Sequence, residues 1–177
     1  RTLLRATGFR TEVVTDGETP EVRLARYVDL INACIRDRCP ETRVGIHLCR
    51  GNSRSGWLTE GGYERIAEAT LGRLAVDTFF LEYDDARSGD FAPLRFVPKN
   101  KHVVLGLVTT KFAKLEDKTE LKRRIDEAAT FVDGDRLAIS PQCGFASTVE
   151  GNLITPEVQE AKLRLVVETA REVWGTA

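Results

Sequence analysis

The sequence predicts an α/β fold, the C-terminal half of a TIM (β/α)8 barrel with about four parallel strands and covering helices. Short apolar runs of strand length alternate with longer segments of helical apolar period, which is typical of a parallel sheet covered by helices. A complete barrel takes about 250 residues, and this chain has 177. We therefore expect one domain over residues 1–177, without the N-terminal half of the barrel. A small independent α/β sandwich is the structural alternative.

The first predicted helix begins at Thr19 and Pro20, which suit a helix cap and a first helical position. Apolar residues recur with helical period over residues 20–39, and a short apolar strand follows at 44–48. The next segment, 49–57, contains two glycines and two arginines. It is a candidate for receiving an anionic group, although it lacks the phosphate-loop pattern.

The second predicted helix covers residues 61–74, and an aromatic-rich strand follows at 78–83. A segment rich in Asp, Gly and Pro runs from residue 84 to about 101, which is long and charged for a plain connection. It is either a lid or substrate loop or a solvated connection. The third strand is predicted at 102–110.

The remaining elements repeat the alternation. Asp117, with a glutamate three residues later, resembles a capping box before a helix at 119–132. The fourth strand is predicted at 136–140, and the last helix lies between Thr155 and Gly175. A half barrel leaves two strand edges and an apolar inner face open. We therefore expect either the missing N-terminal half or a self-associating partner to cover them.

Composition narrows the functional classes. Apolar residues make up 42%, charged residues 30%, and the net charge is −1, without the basic excess of a nucleic-acid-binding protein. No apolar run approaches the roughly 18 residues of a membrane helix, and the opening RTLLRATGFR lacks a signal-peptide pattern. Without any methionine, Arg1 is not a translation start. Four widely spaced cysteines favour a reducing, cytoplasmic setting.

Residues of the types that bind metals lie at the carboxyl ends of three predicted strands. In parallel α/β folds, active sites are usually found at this end of the strands. His47 and Cys49 are two residues apart and therefore share one face of a strand. Glu82 closes the second strand, and Cys143 follows the fourth. Imidazole, thiolate and carboxylate groups around an open position suit a catalytic zinc, and the long spacing excludes a zinc finger. The sequence therefore predicts a zinc site at these four residues.

Other interpretations of the same residue types remain open. A histidine or cysteine on an apolar strand is often a core residue without a further role. Instead of binding a metal, Glu82 could cap a helix or form an ion pair with Arg50. We expect Cys34 and Cys39, on the first helix and at its end, to be structural. His102 begins its strand at the opposite rim, so we do not expect it to be a ligand.

Five segments carry a resemblance to a known family: HLCRGN, FFLEYDDARSGDFAPLRF, VLGLVTTK, LEDKTELKRRI and SPQCGFAST. They resemble the C-terminal catalytic region of the cobalamin-independent methionine synthase family, and the shorter, single-barrel members most closely. The resemblance covers nearly the whole chain and is densest at residues 44–56, 79–98 and 139–151. It implies zinc-dependent methyl transfer from methyltetrahydrofolate to the thiol of homocysteine. The zinc ligands that it implies are His47, Cys49, Glu82 and Cys143.

The resemblance also sets the expected partners. They are a homocysteine-like thiol and a folate methyl donor, with neither nucleic acid nor membrane. In the family, the N-terminal half of the barrel supplies much of the contact with both substrates, and those segments are not in this chain. The alternative functions are a zinc-dependent alkyltransferase or lyase acting on another thiol, such as coenzyme M, and a non-catalytic barrel fragment.

Overall fold

The computed structural model describes residues 17–146 and 148–176, so the N-terminal segment RTLLRATGFR lies outside the described residues. The strands are β1 Gly45–Leu48, β2 Asn52–Ser53, β3 Gly56–Trp57, β4 Thr78–Glu82, β5 His102–Val108 and β6 Leu137–Pro141. The helices are α1 Pro20–Ile35, α2 Glu64–Thr70, α3 Lys118–Ala129 and α4 Pro156–Trp174. In these ranges, no helix has the length and hydropathy that crossing a membrane requires.

The main sheet has the strand order β1-β4-β5-β6, and each neighbouring pair is parallel. In its register His47 lies opposite Phe80, while Glu82 lies opposite Gly106 of β5. Because all strands point the same way, their carboxyl ends lie at one edge of the sheet, where polar side chains converge. Four parallel strands with helices on the sheet confirm the predicted fold class.

The helices α2 and α3 bury the residues that the apolar period selects. Leu121 and Ile125 of α3 are each 3% exposed and belong to the same core cluster as Val103 and Leu105 of β5. Burial of one such side chain contributes about 1.5–3 kcal/mol. The predicted cap of α3 is confirmed, since the Asp117 carboxylate accepts a hydrogen bond from a backbone N–H of the first turn at 2.9 Å.

The first and last helices bury less apolar surface than their periods predict. On α1 the fully buried residue is Val28, while Val22 and Tyr27 are 55% and 37% exposed. On α4 the buried side chains are Lys162 and Thr169, and its apolar side chains are half-buried or exposed. The apolar period therefore predicted the positions of these two helices in the sequence correctly, but it overestimated how deeply their apolar side chains are buried.

A hairpin formed by β2 and β3 follows Cys49 and was not predicted. Its turn places Arg54 at φ 47° and Ser55 at φ 65°. A two-residue hairpin turn needs positive φ, which usually selects Asn or Gly, so an Arg-Ser pair gives little local signal. Tertiary contacts hold the turn instead: the backbone N–H of Ser55 faces Asn152, and the Ser55 hydroxyl accepts from the N–H of Leu153.

The charged segment after β4 is part of the packed structure. It forms short 3₁₀ helices at Ala86–Ser88 and Ala92–Phe96, and it buries Phe91 and Leu94 almost completely. A solvated connection is therefore the wrong interpretation. A lid that opened here would expose two core side chains, so the packing does not favour that interpretation either.

Asp77 joins the start of β4 to the start of β1. Its carboxylate accepts the backbone N–H of Val44 at 2.7 Å and lies near the guanidinium groups of Arg38 and Arg43. The Val44 hydrogen bond, with support from both arginines, holds the pKa of Asp77 below its usual range against a smaller effect of burial. The folded chain therefore favours the ionised carboxylate.

We expect Asp77→Ala to lower the free energy of unfolding by about 1–2 kcal/mol at pH 7. Because the folded pKa is depressed, this contribution is present above the unfolded pKa of about 3.9 and is lost as pH falls through the folded pKa. Denaturant titrations at pH 7 and pH 3 should show a difference from the unmodified protein that shrinks in acid. Asp126→Ala, at an exposed position of α3, is the control. A constant difference at both pH values would contradict the assignment.

Candidate metal centre

Three predicted ligands meet at the carboxyl ends of the strands. The Sγ atom of Cys143 lies 3.4 Å from Nε2 of His47 and 3.9 Å from Sγ of Cys49. The three donor atoms all lie within 4.8 Å of one another. His47 belongs to β1 and Cys143 follows β6, the two edge strands of the main sheet. The fold thus brings together groups that are 96 residues apart in the chain.

The donor set fits a small, thiophilic divalent cation. One imidazole nitrogen and two thiolate sulfurs are ligands that zinc prefers, and three protein ligands leave a position for a substrate. In this chain His47 is exposed, while Cys49 and Cys143 are half-buried. The hydrogen bond with Cys143 raises the pKa of His47, and the same thiol together with burial raises the pKa of Cys49.

Glu82, the fourth predicted ligand, lies outside the three-donor group and is completely buried. One carboxylate oxygen accepts the backbone N–H of Arg50 at 2.7 Å, and the other is bonded to the Arg87 guanidinium. The predicted alternative of a pair with Arg50 is also present, with Nη1 at 3.5 Å from Oε2. Glu82 nevertheless acts on the donors electrostatically, since its charge contributes to the raised pKa of His47 and of Cys49. Its role as a ligand stays a prediction.

A buried ionic network surrounds Glu82. Lys111 Nζ lies 2.5 Å from Asp84, 2.8 Å from Asp85 and 3.8 Å from Glu82. The members are the carboxylates of Glu82, Asp84 and Asp85 and the cations of Arg50, Arg87 and Lys111. The three carboxylates are close enough for a metal ion by distance alone. Because three cations already balance their charge, we assign this group as an ionic network.

Sequence reasoning missed Arg87 and Lys111. Arg87 lies in the charged segment after β4, and Lys111 follows the third predicted strand. Both side chains are fully excluded from solvent. Their positions in the sequence could have indicated a role in the site, because each of these two cationic residues comes shortly after a strand end that carries polar residues.

Arg50 is occupied by protein groups. Its guanidinium donates to the carbonyl oxygens of Gly61, Glu82 and Ser88 and to the hydroxyl of Tyr63, and it also lies 4.2 Å from the centre of the Tyr63 ring. It is 0% exposed. The expectation that this segment receives an anionic group is therefore wrong for Arg50, because its donors are already satisfied inside the protein.

The Tyr63 hydroxyl connects β1 to β4 at the rim. It donates to the carbonyl oxygen of Leu48 at 2.6 Å and accepts the backbone N–H of Glu82 at 2.8 Å. We expect Tyr63→Phe to lower the free energy of unfolding by about 1–3 kcal/mol, because buried backbone groups lose their partner. Denaturant unfolding measures this, with Tyr27→Phe on the exposed side of α1 as the control. Equal effects of the two substitutions would contradict the connecting role.

The remaining candidates lie away from the centre. Cys34 and Cys39 are exposed free thiols outside the donor group, and the expectation that they are structural stays a prediction. Cys39 donates to the carboxylate of Glu41. His102 is exposed at the first residue of β5, the end of the strand opposite the donor group, as predicted.

Comparison with known proteins adds to this geometry. Residues 23–172 match the family model described as cobalamin-independent synthase, catalytic domain. The chain is 52% identical over 159 residues to each of two Bacillus subtilis (strain 168) relatives, the uncharacterized proteins YxjH and YxjG. The match covers 89% of this chain and 42% of each relative, so the chain spans less than half of their length.

Two solved structures share the fold. One is a candidate vitamin-B12-independent methionine synthase from Listeria monocytogenes, with a TM-score of 0.72 and 39% identity over 90% of this chain and 43% of that one. The other is a B12-independent methionine synthase from Shewanella sp. W3-18-1 in complex with selenomethionine. It has a TM-score of 0.61 and 19% identity over 85% of this chain and 46% of that one.

Proposed function

Because the chain belongs to the cobalamin-independent synthase catalytic-domain family, we propose that it carries the zinc-binding part of a homocysteine S-methyltransferase. The reaction moves a methyl group from methyltetrahydrofolate to the homocysteine thiol and forms methionine. The observation that carries the proposal is the meeting of one imidazole and two thiols, His47, Cys49 and Cys143, at the rim of the sheet.

The proposed ligands are His47, Cys49, Glu82 and Cys143. A thiol is mostly protonated at neutral pH, whereas the thiolate is the nucleophile. Zinc bound here would supply the charge that lowers the pKa of a substrate thiol. The three close donors would leave one position around such an ion for a small thiol.

Glu82 would be a ligand of a different kind. Arg50 and Arg87 keep its carboxylate oriented and offset its charge inside the protein. A carboxylate that already has strong hydrogen-bond partners is a weaker donor to a metal than a free one, so we expect it to be the ligand that a substrate sulfur replaces. Loss of a zinc–oxygen contact and gain of a zinc–sulfur contact in X-ray absorption spectra, upon addition of homocysteine, would support this exchange. Unchanged spectra would contradict it.

The proposal places other parts of the enzyme outside this chain. The Bacillus relatives are more than twice its length, and we propose that the N-terminal half of the barrel supplies most contacts to the amino acid and the folate. We further propose that the protein acts in the cytoplasm, where a reducing environment keeps the metal-binding thiols available.

The test is methyl transfer by the complete protein. We expect methionine to form from homocysteine and methyltetrahydrofolate, activity to disappear after dialysis against a zinc chelator, and stoichiometric zinc to restore it. Coenzyme M in place of homocysteine is the matched comparison. Zinc-dependent alkylation of coenzyme M alone would replace the proposed substrate by another thiol. A folded protein that binds no zinc would contradict the proposal as a whole.

A further inference from the structure

We propose that Asn152 is a positioning residue for the Cys143 thiol. This inference rests on the proposed function, because it gives Asn152 a role in the geometry of the proposed metal ligands. Its side-chain amide donates to the carbonyl oxygen of Thr110 at 2.9 Å and to that of Gly144 at 3.5 Å. Its carbonyl oxygen accepts the backbone N–H of Ser55 at 3.4 Å. One half-buried side chain thus joins three segments of the rim.

The first of these contacts leads to the residue before Cys143. Thr110 is fully buried, and its hydroxyl donates to the side-chain carbonyl of Gln142 at 2.9 Å. Gln142 is also fixed through its backbone N–H, which donates to the carbonyl oxygen of Val108 at 2.8 Å. Both neighbours of Cys143 in the chain are therefore held through Thr110 and Asn152, one on each side of the thiol.

The second contact leads to the segment that carries Cys49. Ser55 lies in the turn of the hairpin that follows Cys49, at φ 65°, a backbone conformation that a non-glycine residue adopts only when its surroundings hold it there. Asn152 and Leu153 provide that hold through the backbone N–H and the hydroxyl of Ser55. The same side chain thus ties the segment after Cys49 to the segment after Cys143.

These contacts explain how two thiols that are 94 residues apart stay within 3.9 Å of each other. The Cys143 segment follows an edge strand and has no further strand of the main sheet beside it among the described residues. Among these residues, the contacts of Gln142 with Val108 and Thr110 and of Gly144 with Asn152 therefore hold the segment in place. Loss of a group that orients metal ligands typically weakens metal affinity by about 10- to 100-fold.

The experiment compares Asn152→Ala with the unmodified complete protein. We expect the zinc dissociation constant, measured by competition with a chromophoric chelator, to rise by about 10- to 100-fold. We also expect a changed visible spectrum of the Co²⁺-substituted protein, because that spectrum reports the arrangement of the ligands around the metal.

A second measurement does not need the metal. In zinc-free protein, diamide oxidises two neighbouring thiols to a disulfide, while its N=N bond takes up two electrons and two protons to become a hydrazine. We expect Asn152→Ala to form the Cys49–Cys143 disulfide more slowly, because the sulfur atoms spend less time in contact. Mass spectrometry of peptides identifies the bond.

Asn32→Ala is the matched control. The Asn32 side chain also joins two segments, since it donates to the carbonyl oxygen of Arg73 and accepts the N–H of Ala75, but at the opposite end of the strands. We expect this variant to lose comparable thermal stability and to keep the unmodified zinc affinity and disulfide rate. Unmodified values for Asn152→Ala, or equal changes in both variants, would overturn the positioning role. If the unmodified protein binds no zinc, the proposed function fails, and the disulfide rates still decide the role of Asn152.

Discussion

Replacing Arg87 with methionine is expected to destabilise the protein by about 3–5 kcal/mol, the usual cost of leaving a buried charge without its partner. Arg87 and Glu82 are bonded to each other, and both side chains are fully excluded from solvent. Arg87 also donates to the carbonyl oxygen of Thr59 and to the side chain of Asn52. Methionine can fill part of the volume but offers none of these donors. Denaturant unfolding of the complete protein measures the loss.

A double-mutant cycle separates the charge from the packing. Glu82→Gln removes the negative charge, so we expect Arg87→Met to cost less in that background than in the unmodified protein. Arg73→Met is the matched control, because the Arg73–Asp29 ion pair is exposed and contributes about 0–1 kcal/mol. Equal costs of Arg87→Met in both backgrounds would show that the buried charge of Glu82 is not the cause.

Serine at Cys49 or Cys143 is expected to reduce bound zinc from about one ion per chain to near zero after gel filtration, because a serine hydroxyl is not ionised at neutral pH. Elemental analysis of the purified variants measures this. Cys34→Ser is the matched control, since Cys34 is an exposed thiol on α1 and lies outside the donor group. Full zinc occupancy in Cys143→Ser would remove this residue from the proposed ligand set.

Glu82→Gln tests the fourth ligand in the same assay. We expect weaker zinc binding than in the unmodified protein but a higher occupancy than in either cysteine variant, because the imidazole and both thiols of the close donor group remain in place. Unchanged zinc affinity would assign Glu82 to the ionic network alone.

The fold was predictable because its signals are local. Apolar period distinguishes strand from helix over a few residues, and Thr19, Asp117 and Thr155 mark helix starts through short-range hydrogen bonds that the structure contains. The meeting of His47, Cys49 and Cys143 followed from one further rule, that parallel strands end at the same edge of the sheet.

The ionic network was not predictable in the same way. Lys111 meets Asp84 across 27 residues, and nothing near either residue distinguishes a buried charge from a solvated one. The hairpin after Cys49 was missed for a related reason. Its turn residues, Arg54 and Ser55, are held in place by a distant part of the chain and not by their own conformational preference.

The separation of the donor residues along the chain also has a consequence for folding kinetics. His47 and Cys143 are 96 residues apart, so the chain must close a long loop before both can hold one ion. A metal ion that needs both residues as ligands would therefore bind the native state. It would not bind the partly folded chains that form early in folding and contain only local structure. We expect zinc to slow the unfolding limb of a chevron plot while the refolding limb keeps its rate. In this respect the ion would stabilise the chain only after the sheet has formed, and it would not act as a folding nucleus.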